Sequence, residues 1–181
     1  MSFKIIRWGG LATVVAAALY IVTDLVTFFL ALPQGPPVGA LFQAIVTSVA
    51  QVLLLLGIVA LYAQRSEAAG IPGLIAFIVT FAGTVWAHGG AFWATLLAAL
   101  GWILFGVNDL RAQVYPRAAA IVLIIGALLY GIAHALIGSG ALGFSPIYIG
   151  AFLVFNIIFY TAIAWLGDNL YIRGSKASTE G

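Results

Sequence analysis

The amino-acid sequence is a succession of long apolar runs separated by short breaks of glycine, proline and polar residues. Each run has roughly the length, about 20 residues, that a transmembrane helix needs. Proline and glycine in the breaks are typical of helix ends. We therefore predict an all-α, polytopic membrane helical bundle of about six transmembrane helices over residues 1–173. The predicted spans are 8–32, 38–63, 71–87, 91–107, 116–137 and 147–166, and a flexible tail follows at 174–181.

The composition requires an apolar environment around the folded chain. Hydrophobic residues make up 64% of the 181 positions and charged residues only 7%, whereas a soluble domain carries about 25% charged residues. The lipid bilayer is therefore the expected partner. The absence of cysteine excludes disulfides, thiolate metal sites and cysteine nucleophiles. The seven Lys and Arg residues are too scattered to form a nucleic-acid-binding patch.

The basic residues predict how the chain is oriented. Hydropathy alone allows one span or two between Ile71 and Val107, because the break at His88-Gly89-Gly90 is short. If the chain turns there, all seven Lys and Arg residues fall on one side of the membrane, and the three opposite loops have none. Lys and Arg are enriched in cytoplasmic loops. The pattern therefore favours six spans with both termini in the cytoplasm.

A weak internal similarity relates residues 7–25 to residues 117–135. Shifted by 110 positions, Leu19-Tyr20 matches Leu129-Tyr130, and Asp24 matches His134. Both segments enter from the same predicted side, so a true duplication would be a parallel repeat. Apolar helices also resemble one another by chance, and both interpretations stay open.

Polar residues inside the spans are the best guide to a functional site, because ionisable groups are costly in lipid. Asp24 and His134 each lie 17 residues beyond an arginine at the inner end of a span, or about 25 Å along the helix. His88 falls near the same outer level. We predict an outward-facing ligand pocket or proton site, although each residue can instead serve helix packing. Its expected members are Asp24, His134, His88, Tyr20, Tyr130, Gln43, Gln51 and Asn156.

Two arginines, Arg111 and Arg117, frame a predicted inner loop. They either anchor the topology or bind an anionic lipid headgroup.

The same region carries a resemblance to a known group of proteins. The residues concerned are Gly101-Trp102, Leu104-Phe105-Gly106, Leu110-Arg111-Ala112 and Pro116-Arg117, together with the opening Arg7-Trp8-Gly9-Gly10. In these the chain resembles uncharacterised small multi-pass bacterial integral membrane proteins, although its turn at His88-Gly89-Gly90 is shorter than expected for them. The resemblance implies a helical bundle in a prokaryotic plasma (inner) membrane and carries over no functional residues.

Four functions remain open. The catalytic inventory is thin, with one acid placed in a span, two histidines and none of the common hydrolase or phosphate-binding motifs. We therefore favour a non-catalytic accessory or binding module, acting alone, as a homo-oligomer or as a subunit beside other membrane proteins. One alternative is a small proton-coupled transporter that uses Asp24. Another is a protein that binds haem or a chlorophyll-type pigment through His88 and His134, and a membrane enzyme with a His–Asp pair is the least supported.

Overall fold

The computed structural model describes residues 3–30, 37–87, 92–138 and 146–177, which are helical throughout except at a few turn positions. The helices are α1 (Phe3–Leu30), α2 (Pro37–Ala87), α3 (Phe92–Ala112), α4 (Arg117–Gly138) and α5 (Pro146–Ala177). These five are all long and apolar enough to cross a membrane, and the described ranges contain no strand. The predicted all-α membrane-type bundle is confirmed. The count of six spans and the side of the termini stay predictions.

Helix α2 reverses its direction at Gly70. This residue has φ 54° and ψ −150°, a conformation that glycine adopts readily because it lacks a Cβ atom. As one straight helix, the 51 residues of α2 would extend for about 75 Å. Instead, the Gln51 side chain donates a hydrogen bond to the carbonyl of Thr84, 33 residues further along. The segments 37–69 and 71–87 therefore lie side by side and antiparallel.

Consecutive helices pack against each other, and α5 packs against α1, so the bundle closes on itself. Small residues let the helix backbones approach closely, as they do in membrane bundles generally. A Cβ atom on Gly10 would lie 2.6 Å from the carbonyl oxygen of Gly167. A Cβ atom on Gly101 would meet the backbone of Thr80 at a similar distance. The core is consequently tight, with Trp102 among the largest fully buried side chains.

The outer surface of the bundle is apolar. Trp93 is 77% exposed, Ile71 75% and Leu41 66%, and many other large hydrophobic side chains are half exposed. A water-soluble monomer does not present apolar side chains on this scale. The surface therefore suits a lipid environment.

The described cationic side chains lie at one end of the bundle, which we call the basic end. Arg7 lies against Gly174 and donates a hydrogen bond to the Tyr171 hydroxyl at 3.2 Å. Arg173 lies over the ring of Tyr115. The members of the basic end are Lys4, Arg7, Arg65, Arg111, Arg117 and Arg173. The opposite end, where α1 and α4 finish, is called the distal end.

Two predicted breaks are helical in the structure. The polar stretch 64–67 belongs to α2, which does not turn until Gly70, and the polar stretch 108–111 belongs to α3. One charged residue of each stretch is buried rather than facing water, because Arg65 and Asp109 pair with each other inside the bundle. Helix α5 likewise runs past Gly174, where the tail was expected to begin, to Ala177.

Helices α1 and α4 bury the same faces in the register of the proposed repeat. Ala17 and its counterpart Ala127 are fully buried, while Val22 and Ile132 are about half exposed. Asp24 and His134 are both partly buried. The common depth expected for these two residues stays a prediction.

Candidate functional site

A cavity of about 210 Å³ lies between the middle of the bundle and its distal end. It is larger than an apolar cavity of about 150 Å³ that admits benzene. Helices α1 to α5 all contribute to its wall, which combines aromatic rings with amide and hydroxyl groups. The lining residues are Tyr20, Thr47, Gln51, Leu54, Thr84, Ala87, Ala98, Trp102, Tyr130, Phe159 and Tyr160.

One side of the cavity is held by a hydrogen-bonded chain. The Tyr20 hydroxyl donates to the Gln51 side-chain oxygen at 2.5 Å. The Gln51 amide in turn donates to the backbone carbonyl of Thr84. This chain links α1 to both segments of α2, and it gives Gln51 a fixed orientation because both ends of its amide are engaged.

Three tyrosines form an aromatic cluster that shares Tyr20 with the hydrogen-bonded chain. The rings of Tyr20 and Tyr160 stack with centroids 4.7 Å apart and planes 5° apart. Tyr130 lies edge-on to Tyr160, and their hydroxyls are hydrogen-bonded. Phe159 packs on Tyr130 with ring centroids 4.6 Å apart. A ligand in the cavity would therefore meet both ring faces and hydroxyl groups.

Asp24 lies one helical turn beyond Tyr20, next to the tyrosine cluster. Its carboxylate is hydrogen-bonded to the side chain of Asn156 and interacts electrostatically with Tyr20, Tyr130 and Tyr160. The carboxylate oxygen Oδ2 is buried and has no hydrogen-bond partner among the described residues. One oxygen of this buried carboxylate therefore lacks the hydrogen bond that would offset the cost of its burial.

His134 is next to this group but does not line the cavity. Its Nδ1 lies 2.9 Å from the carbonyl oxygen of Tyr130. Its ring packs between Tyr130 and Phe152, with centroid distances of 4.1 Å and 4.7 Å. His88 lies outside the described residues, so the expected pairing of the two histidines stays a prediction.

The structure thus brings together most of the residues that the sequence predicts for the site. Those that meet in one cluster are Tyr20, Asp24, Gln51, Tyr130, His134 and Asn156. Gln43 is exposed on α2 and does not line the cavity. Arg111 and Arg117 are exposed at the basic end, far from the cluster, where a lipid headgroup site stays a prediction. Trp102 and Phe159 line the cavity although no sequence signal distinguished them from core aromatics.

A second polar cluster, near the basic end, was not anticipated. Arg65 and Asp109 form an ion pair at 2.5 Å, and both side chains are fully buried. Arg65 also donates to the Phe105 carbonyl at 3.2 Å and lies over the Phe105 ring. From the sequence, Asp109 was expected in a break between spans, whereas the structure places it inside α3. The adjacent Asn108-Asp109 pair, flanked by apolar residues, is the signal that was available.

A buried tyrosine also belongs to this second cluster. Tyr115 is 3% exposed and donates a hydrogen bond from its hydroxyl to the Gln64 side chain at 2.6 Å. Burial, reinforced by the nearby Asp109 carboxylate, raises the pKa of Tyr115 well above its usual value. The phenol therefore stays protonated and acts as a hydrogen-bond donor.

No protein-family model, no curated protein and no solved structure matches this chain.

Proposed function

We propose that this chain is a non-catalytic, multi-pass membrane protein that binds a small molecule in the cavity between Tyr20, Gln51 and the Tyr130–Tyr160 pair. The observation that carries the proposal is the cavity itself, about 210 Å³ in volume and lined by oriented polar groups and aromatic faces. Ligand pockets typically combine an apolar wall with a few fixed polar groups. The pocket would serve as the recognition site of a binding or accessory module.

Two features support ligand binding over a purely structural role. Thr84 lines the cavity, and its hydroxyl oxygen is buried and has no hydrogen-bond partner among the described residues. Buried polar groups are nearly always hydrogen-bonded. A ligand or a bound water would supply the missing partner. The glycine contacts elsewhere in the bundle are tight, so the cavity does not result from loose packing of the bundle as a whole.

We also propose that the chain crosses a prokaryotic plasma membrane six times, with both termini in the cytoplasm. The reversal of α2 at Gly70 supports this count, since the segments 37–69 and 71–87 would each form one span. The clustering of the described cationic side chains at the basic end supports a cytoplasmic location for that end. The cavity would then open toward the outside.

Filling the cavity is expected to displace the ligand. Ala87 lies at the cavity rim and is partly buried, so Ala87→Phe would project a ring into the space without breaking a hydrogen bond. We expect the fraction of protein that carries a small-molecule adduct in native mass spectrometry to fall by about tenfold or more. The matched control is Ala18→Phe, at an exposed position of α1 that does not line the cavity.

The control variant should keep the wild-type adduct. If the wild-type protein, purified gently from its membrane, carries no adduct, or if both variants carry it equally, the cavity is not the binding site.

A further inference from the structure

Asp24 is an acid without a described counter-cation. Its carboxylate is hydrogen-bonded to the side chain of Asn156, and the oxygen Oδ2 has no hydrogen-bond partner among the described residues. The described Lys and Arg side chains all lie at the basic end, away from it. A charged group within a membrane bundle normally pairs with an opposite charge or marks a ligand pathway. The site therefore calls for a positive charge that the described part of the chain does not supply.

The part of the cavity wall near Asp24 is aromatic. Tyr20, Tyr130 and Tyr160 line the cavity and interact electrostatically with the Asp24 carboxylate, and Trp102 and Phe159 complete the aromatic lining. The faces of aromatic rings carry partial negative charge and attract cations, most strongly where water is excluded. Rings from α1, α3, α4 and α5 converge here, which is the arrangement that recognises alkylated ammonium groups.

The polar groups of the lining add to the same preference. The amide N–H groups of Gln51 are directed to the Thr84 carbonyl, and the Tyr20 hydroxyl hydrogen is directed to Gln51. Apart from hydroxyl groups such as that of Thr84, the lining offers a ligand oxygen atoms and ring faces, and no basic side chain. His134 is the nearby titratable group on α4, where its ring packs on Tyr130 and does not line the cavity. An anion would find little to bind here.

We propose that the cavity binds a small organic cation, an alkylated ammonium ion, with Asp24 as its counter-charge and the aromatic wall as its cage. This inference rests on the proposed function, because it assigns a ligand class to the same cavity. The volume of about 210 Å³ accommodates an ion of this size.

The test compares choline with 3,3-dimethylbutan-1-ol, its uncharged carbon analogue, by calorimetric titration of the purified full-length protein. Choline is expected to bind at least about tenfold more tightly than the alcohol. Asp24→Asn keeps the shape of the side chain and its contact with Asn156, and it is expected to remove this preference. Asp168→Asn, which changes an exposed acid near the basic end, should leave the preference intact.

A second variant tests the proposal independently, in case Asp24→Asn does not fold. Phe159→Leu removes one ring face and no polar group, and it should weaken choline binding more than alcohol binding. Equal affinity for the two probes in the wild-type protein, or an unchanged preference in Asp24→Asn, would overturn the cation assignment while leaving a ligand cavity in place. If neither probe binds and Ala87→Phe changes no adduct, the proposed function fails as well.

Discussion

Replacing Asp109 with asparagine is expected to lower the free energy of unfolding by about 3–5 kcal/mol. The substitution would leave the Arg65 guanidinium fully buried without its ion-pair partner. Its Nε and Nη2 atoms already lack hydrogen-bond partners among the described residues, so no neighbour can take over the charge. Arg65 lies on α2 five residues before the reversal at Gly70, and the loss should therefore also weaken the packing of α2 on α3.

Unfolding in mixed micelles of increasing SDS fraction would measure this effect. Glu67→Gln is the matched control, because Glu67 is an exposed acid on the same helix as Arg65. The double variant Arg65→Met with Asp109→Leu should recover most of the lost stability, since apolar residues often replace a buried ion pair without cost. If Asp109→Asn unfolds like the Glu67→Gln control, the pair is not a structural element of the bundle.

Introducing a side chain at Gly10 is the second change with a large expected effect. A Cβ atom there would lie 2.6 Å from both the Gly167 oxygen and the Tyr171 nitrogen. Both are backbone atoms of α5, so they cannot move aside as a flexible side chain would. Gly10→Val should therefore push α1 and α5 apart and destabilise the protein by about 1–3 kcal/mol or more.

The comparison for this variant is Gly150→Val. Gly150 also lies within a helix, but a Cβ atom there would meet nothing within 4 Å. It should therefore behave like the wild-type protein in the same SDS titration. Since both variants make the same change from glycine to valine within a helix, a difference in their stability reports the contact at Gly10. Equal destabilisation by the two substitutions would contradict the close contact between α1 and α5.

The sequence was most informative where its signal is strong and local. Apolar runs and proline breaks indicate helices, and the depth of Asp24 and His134 follows from counting along straight helices. Tyr20, Gln51 and Asn156 were expected at the site because polar residues are conspicuous in an apolar background. The structure brings these side chains together.

The ion pair of Arg65 and Asp109 was missed because each residue was assigned to a loop. A charge near the end of an apolar run is normally taken as a sign that the helix has reached water. When two opposite charges pair inside the bundle, they do not have to reach water, and the helix can continue. Nothing in the local pattern indicates that the two residues, 44 positions apart, face each other.

The aromatic part of the cavity was beyond the reach of sequence patterns for a different reason. Trp102 and Phe159 are two among many apolar aromatics in the chain, and only the way that the helices pack decides which rings line a void. Gln43 shows the converse, because it shares a spacing of four with Thr47 and Gln51 and is still exposed. Helical spacing identifies a face but not the neighbour that the face meets.

Cysteine accessibility tests the account most directly, since the chain has no cysteine of its own. Thr47→Cys would place a thiol in the cavity wall, and Arg117→Cys would place one at the basic end. In intact cells, a membrane-impermeant cationic thiosulfonate is expected to modify the Thr47→Cys variant from outside. It should modify Arg117→Cys only after the membrane is permeabilised. Modification in the opposite pattern, or a Thr47→Cys thiol that is unreactive from either side, would contradict an outward-facing cavity.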